Sequence, residues 1–272
     1  YYSGFTDNYG YNYIGLNMKS DNTRPPIFTD KNVRRAMAYL VPDDQLIETI
    51  ASGHGIRQAS IVQPVNKEFY NDTLALIPFD IEKAKQLLTA AGWVDTDSDN
   101  IRDKMINGKK VPFRFQFTYR ASESNKQMAL MIKDAMYKAG VDMELDPVDG
   151  NVVFTRMLGH DFDMILSAWS GSAIPEDPEQ LFNTDNWANH GYNFTGFGDA
   201  ASDSLIRMSN KTVDKQERIK YLQALQAKVY EEQPYIFTDS VKRKIAISQR
   251  FDNACMYAER PGVILNALKL KG

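Results

Sequence analysis

Cysteine is almost absent. Cys255 is the only one in 272 residues, which excludes an internal disulfide framework and leaves the redox compartment unread. Histidine is nearly as scarce, and His54, His160 and His190 lack the short spacings of a zinc site. No uninterrupted apolar run is long enough to span a bilayer. The 32 Lys and Arg nearly balance the 35 Asp and Glu, for a net charge of -3, and no basic stripe is present. That removes the electrostatic footprint of a nucleic-acid binder. Neither a G-x-S-x-G elbow nor a phosphate-cradling P-loop occurs. The first residues, Tyr1-Tyr2-Ser3-Gly4, carry no initiator Met and no basic or apolar leader region, so the chain reads as a piece of something longer.

What is present is an alternation of strand and helix patterns. Tyr11, Tyr13 and Gly15 alternate with Asn12, Ile14 and Leu16 within a strand expected over Tyr9 to Asn17. Asp30 caps a predicted helix carrying Val33, Met37, Leu40 and Val41, and Pro42 breaks it. A second helix runs through Leu46, Ile47 and Ile50 to a stop at Gly53. After a Pro-punctuated loop, Asp80 caps a helix with Ile81, Ala84, Leu87, Leu88 and Ala91 on one face. The clearest strand follows a polar turn: Phe113, Phe115, Phe117 and Tyr119 share one face, and Arg114, Gln116, Thr118 and Arg120 the other.

Ser122 or Ser124 then opens a helix that Gly140 stops, and Val141, Met143 and Leu145 alternate as the next strand. Strand, helix, strand in that order implies a parallel pair with a crossover. A short helix near Val152 to Leu158 leads into a buried strand, Phe162 to Trp169. Helical periodicity returns over Asp199 to Met208 and Asp214 to Glu231, and Tyr235 to Ile247 alternates weakly as one or two strands. The class is α/β with a mixed sheet flanked by helices.

In open α/β sheets a ligand collects beyond the carboxyl ends of strands. Two strands here end in suitable chemistry. Tyr119-Arg120 pairs an aromatic platform with a forked cation able to grip a carboxylate. Trp169-Ser170-Gly171-Ser172 precedes a loop with Pro and acids. Each has a structural alternative: Arg120 pairing with a surface acid, and Trp169 closing an apolar core. Asn193, in the turn Gly191-Tyr192-Asn193, is a further candidate, equally at home in an ordinary turn.

Several ordered segments resemble a known family, the peptide- and nickel-type solute-binding proteins (family 5) of bacterial ABC importers. They are Gly15-Leu16-Asn17 with the run Phe28 to Met37, then Phe79 to Leu88 with Ala91-Gly92-Trp93, and finally Ala168-Trp169-Ser170-Gly171 leading to Asp177-Pro178. The resemblance implies one lobe, of periplasmic-binding-protein type II, of a clamp that closes on an oligopeptide or other small solute. Residues 1–241 would be the second ligand-binding lobe, and 242–272 a segment returning toward a first lobe outside this chain. It implies no catalysis, no cofactor and no resident metal. The partners would be the solute and a membrane permease, in an extracytoplasmic setting, periplasmic or lipid-anchored at the cell surface. Arg120 falls where dipeptide binders hold the peptide carboxylate, offset by one residue. Ser172 stands where they hold the peptide ammonium with an aspartate, and two extra residues precede Asp177-Pro178. Arg120 would then supply charge, Tyr119 and Trp169 stacking surface, and Ser170 and Ser172 hydrogen bonds.

Other readings compete. A nickel chelate or an oligosaccharide would suit the same clamp. Glu176, Asp177 and Glu179 are acids a hydrolase could use, although a Pro-flanked acidic loop is more often solvent-facing. The helix from Asp214 to Glu231 could serve as a docking face. Asp95, Asp97 and Asp99 imitate the opening of a calcium loop, but Asn100 replaces the glycine and Ile106 the closing glutamate, which favours a solvated turn.

Overall fold

The structure, a computed structural model, describes residues 1–19, 24–173, 177–188 and 191–272. In chain order β1 (Tyr2–Thr6) and β2 (Tyr11–Leu16) precede α1 (Lys31–Tyr39), α2 (Asp43–Ala51) and the short β3 (Gly55–Ile56). α3 (Ile81–Ala90) leads to β4 (Asp103–Ile106), β5 (Lys109–Pro112), β6 (Arg114–Arg120) and α4 (Glu123–Lys138). Next come β7 (Asp142–Val148), α5 (Gly150–Leu158), β8 (Met164–Trp169) and α6 (Glu179–Phe182). α7 (Ala200–Lys211) and α8 (Lys215–Glu232) are followed by β9 (Tyr235–Val241), β10 (Arg243–Ile247), β11 (Phe251–Asp252) and β12 (Lys269–Leu270).

Helix starts follow cap chemistry. The side chains of Asp30, Asp80, Ser122, Asp199 and Asp214 each accept a backbone N–H from the first turn of α1, α3, α4, α7 and α8. Each such cap stabilises its helix by about 1 kcal/mol.

The main sheet has six strands in the order β3-β9-β2-β8-β6-β7. β6 runs parallel to β7 and β8, whereas β2 is antiparallel to both β8 and β9. The carboxyl ends of β6, β7, β8 and β9 therefore share one edge with the start of β2. On one face Phe113, Phe115, Phe117 and Tyr119 pack with Val33, Met37, Leu88, Ile132 and Met136 from α1, α3 and α4. On the other, Tyr11, Tyr13, Tyr235 and Phe237 pack with Phe182, Phe197, Ile206, Leu225 and Val229. Burying each of these large side chains stabilises the fold by roughly 1.5–3 kcal/mol.

Two tethers hold distant parts of the chain to this core. Arg34, 1% exposed, donates to the carbonyls of Phe28, Thr29 and Glu232 and to the Glu232 carboxylate at 2.6–2.9 Å, fixing α1 to the end of α8. β1 does not join the main sheet. It pairs with β10, placing residues 2–6 beside 243–247 in a separate ladder.

Candidate functional site

Among the described residues, cavities open along the edge where β6, β8 and β9 end, and the two candidate strand ends fall in different ones. The first, of about 490 Å³, is lined by Arg120, by Ser167 and Ala168 of β8, by Thr238 and Asp239 of β9, and by Asn12 of β2. α2 adds Asp43, Leu46, Ile47 and Ile50 as its roof. Its size is that of small-molecule sites, typically about 300–1,000 Å³. The second, of about 140 Å³, holds Trp169, Ser170, Ser172 and Asp177 beside Tyr11, Ile61 and Leu222.

Arg120 is exposed at the end of β6, opposite Val148 in register, and its stem lies over the Gly150 backbone. A Cβ at Gly150 would stand 3.5 Å from Arg120 Cδ. Among the described residues no ion pair engages the Arg120 guanidinium; its carbonyl accepts from Asn125 Nδ2 at 2.9 Å. The surface-pair alternative for Arg120 therefore finds no partner among the described residues.

Tyr119 and Asn193 do not reach a ligand surface, which corrects both expectations. Tyr119 is 2% exposed, because the alternation that places Phe117 in the core places Tyr119 there too. Asn193 is fully buried and clamps its own turn. It donates to the carbonyls of Asn183 at 3.1 Å and Phe197 at 2.7 Å, and accepts the Phe197 N–H at 3.1 Å.

Trp169 is half-buried and answers to both readings. Its ring stacks on Phe194 and Tyr13 with centroids 6.0 and 6.4 Å away, while its remaining surface lines the smaller cavity. Its indole N–H and the nearby Tyr235 hydroxyl are both buried without a hydrogen-bond partner among the described residues. Burial pushes that phenol up to about 12, against the opposing pull of Trp169 and Tyr13. Ser170 is exposed and Ser172 half-buried, both at the rim of the smaller cavity. A Cβ at Gly171 would meet the Tyr9 carbonyl at 2.1 Å, so this turn needs glycine to pass so close to the segment leading into β2. Glu176 and His190 lie outside the described residues.

Asp43, Asp239 and Asn12 were not anticipated. Asp239 Oδ1 accepts from Asn12 Nδ2 at 3.0 Å and from the Thr238 hydroxyl at 3.1 Å. Burial raises its pKa, and those two bonds oppose the rise. Asp43 is 6% exposed, with Oδ2 3.2 Å from Arg57 Nη2 and Oδ1 buried without a hydrogen-bond partner. Burial holds Asp43 well above the usual carboxylate range; Arg57 pulls it down and Asp239 pushes it up. One signal was available for Asp239, a charge in mid-strand amid Tyr235-Ile236-Phe237.

The Asp95, Asp97 and Asp99 carboxylates converge within 4.8 Å at an exposed turn. Asp95 accepts the Ser98 and Asn100 N–H groups at 2.7 and 3.1 Å, and Asp97 pairs with Lys110. Asp95 is thus engaged within its own loop and Asp97 by β5.

The chain matches the family model described as bacterial extracellular solute-binding proteins, family 5 Middle, over residues 4–192. It is 26% identical to the oligopeptide-binding protein AppA of Bacillus subtilis, over 92% of this chain and 45% of that protein. It is 29% identical to heme-binding protein A of Haemophilus influenzae, over 82% of this chain and 39% of that one. The fold superposes on the Bacillus subtilis AppA structure, solved with a nonapeptide, with a TM-score of 0.85 and 24% identity. That match covers 100% of this chain and 52% of the other. NikA of Brucella suis, solved with Fe(III)-EDTA, gives 0.79 at 22% identity, covering 100% and 53%. The chain thus spans about half the length of the relatives it matches. With the fold, the edge cavities and the family match in agreement, this chain belongs to the bacterial extracellular solute-binding proteins of family 5, a family of binding proteins rather than enzymes.

Proposed function

We propose that this chain forms part of a clamp that captures a small solute outside the cytoplasm, an oligopeptide first among the candidates, and delivers it to an ABC importer permease. The observation that carries this reading is Arg120: an exposed guanidinium, engaged by no ion pair among the described residues, on the wall of a 490 Å³ cavity at the sheet's carboxyl edge. Such a cation is suited to a carboxylate held in bidentate fashion. Trp169, Ser170 and Ser172 form a second subsite for an apolar or polar side chain. No helix among the described residues is long and apolar enough to cross a membrane.

Residues 1–241 then make the second lobe, and 242–272 the segment that returns to a first lobe. The separate β1–β10 ladder keeps the start of the returning segment off the main sheet, with residues 2–6 beside it. The apolar side chains exposed there, Tyr1 at 84%, Leu265 at 67% and Leu270 at 69%, suit a surface that a first lobe covers. Closure of the lobes would rotate the chain about the crossover residues between β9 and β10.

Calorimetric titration of tri-alanine tests the reading in the full-length protein. Arg120→Gln is expected to weaken binding by about tenfold or more while shifting stability by no more than about 0.5 kcal/mol. Equal affinity in the variant would remove Arg120 from the site. A carboxylate-bearing metal chelate bound in preference to tri-alanine would keep the clamp and replace the peptide.

A further inference from the structure

The larger cavity has two ends of unlike charge. Arg120 stands at one; Asp43 and Asp239 stand at the other, on α2 and β9. A guanidinium does face these acids, but its donors are divided. Arg57 reaches Asp43 at 3.2 Å, Asp44 at 3.1 Å and the Ile77 carbonyl at 2.5 Å. Among the described residues Asp239 receives only the neutral donors Asn12 and Thr238.

One acceptor in this corner is left over. Asp43 Oδ1 is buried and has no hydrogen-bond partner, in a side chain more than nine-tenths buried. Leaving a buried acceptor unpaired is costly, and leaving a second buried carboxylate without a counter-charge costs more. A cation held at this end of the cavity would give both acids a counter-charge. Leu46, Ile47 and Ile50 line the approach with apolar surface, which suits the methylene stem of such a cation.

We infer that the Asp43–Asp239 corner seats a cationic group, ammonium or guanidinium, of a dipolar solute whose carboxylate lies at Arg120. The seat rests on the solute-binding reading above and gives the solute's positive end a place away from Ser172. Two sources share this chemistry, the amino terminus of a short peptide and a basic side chain.

Amide NMR of the isotopically labelled chain separates the possibilities. Agmatine, a cation without a carboxylate, is expected to shift the Asn12, Gly55 and Ser240 amides to saturation. Its affinity should fall about tenfold or more in both Asp43→Asn and Asp239→Asn, and should not fall in Arg120→Gln. Should Asp43→Asn fail to fold by circular dichroism, Asp239→Asn alone reads the result. Absence of saturable shifts in the wild type, or unchanged affinity in Asp239→Asn, would overturn the seat. Tri-alanine and N-acetyl-Ala-Ala-Lys then identify the source: shifts with the first assign the seat to a peptide amino terminus, and with the second to a basic side chain. Agmatine shifts without either peptide would uphold the seat while removing the peptide reading.

Discussion

Asn12 donates from Nδ2 to Asp239 Oδ1 at 3.0 Å, at the point where the pairing of β2 with β9 shifts register. The irregularity sets a neutral donor against a buried acid on the cavity wall. This bond favours the charged form of Asp239, which burial disfavours. Asn12→Ala should therefore cost about 1–2 kcal/mol near neutral pH. Without the bond the folded-state pKa of Asp239 climbs further, so the deficit should shrink as the pH falls toward the unfolded carboxylate range, about 4. Urea denaturation at pH 4.5 and 7.5 measures both quantities, and a pH-independent deficit would contradict the assignment.

Asp43 gives the complementary case. Its pKa in the fold lies above the ordinary 3.8, chiefly through burial. The folded state thus holds this proton more tightly than the unfolded chain. The associated stability is fully present below the unfolded value and is lost as the pH rises through the folded one. Asp43→Asn carries no such titration. Relative to wild type, the variant should gain stability as the pH is raised from about 4 to about 8, a trend that thermal melts across that range would reveal.

Arg34 is a structural cation whose loss should be severe. Arg34→Ala leaves Glu232 and the Phe28 and Thr29 carbonyls without their donor, at a cost of about 3–5 kcal/mol. That is a large fraction of the roughly 5–15 kcal/mol that stabilises a domain. Denaturant midpoints of the variant check it. A loss below about 1 kcal/mol would mean that α1 and α8 are joined by other contacts.

Asn193 should separate stability from binding. Its amide serves three backbone groups of a closed turn, so Asn193→Ala is expected to destabilise by about 1–3 kcal/mol. Calorimetry on the folded variant should return the wild-type affinity for tri-alanine, because the side chain has no exposed surface. Weakened binding at full stability would restore Asn193 to the site.

The local chemistry of the elements was largely legible. The alternating aromatics from Phe113 to Tyr119 became β6, the parallel β6–β7 pair followed from the strand–helix–strand order, and the Asp30, Asp80 and Ser122 caps lie where expected. The β4–β5 hairpin was missed although its signal was present. Asn107-Gly108 is a two-residue turn with φ of 51° and 76°, a conformation that Asn-Gly favours. The site was legible only in part. Alternation showed that Tyr119 shares a face with Phe117 but not that this face is the buried one. Asp43 and Asp239 sit far apart in the chain, and only the packing of α2 over the edge of β9 brings them onto one wall.

The sheet order carries a consequence for how the molecule is made. β2, near the start of the chain, is bonded on one side to β8 and on the other to β9, and β9 is also the strand that pairs β3. Until residues 235–241 are available, β2 presents a bare edge and β3 lacks its partner. Closing such long-range pairings is slow, and an open edge invites pairing with another chain. A chain truncated after Glu232 should self-associate under conditions that keep the full chain monomeric, as light scattering would detect. The last strand of the sheet is therefore a seal as well as a wall, and a nascent chain is exposed to aggregation until it closes.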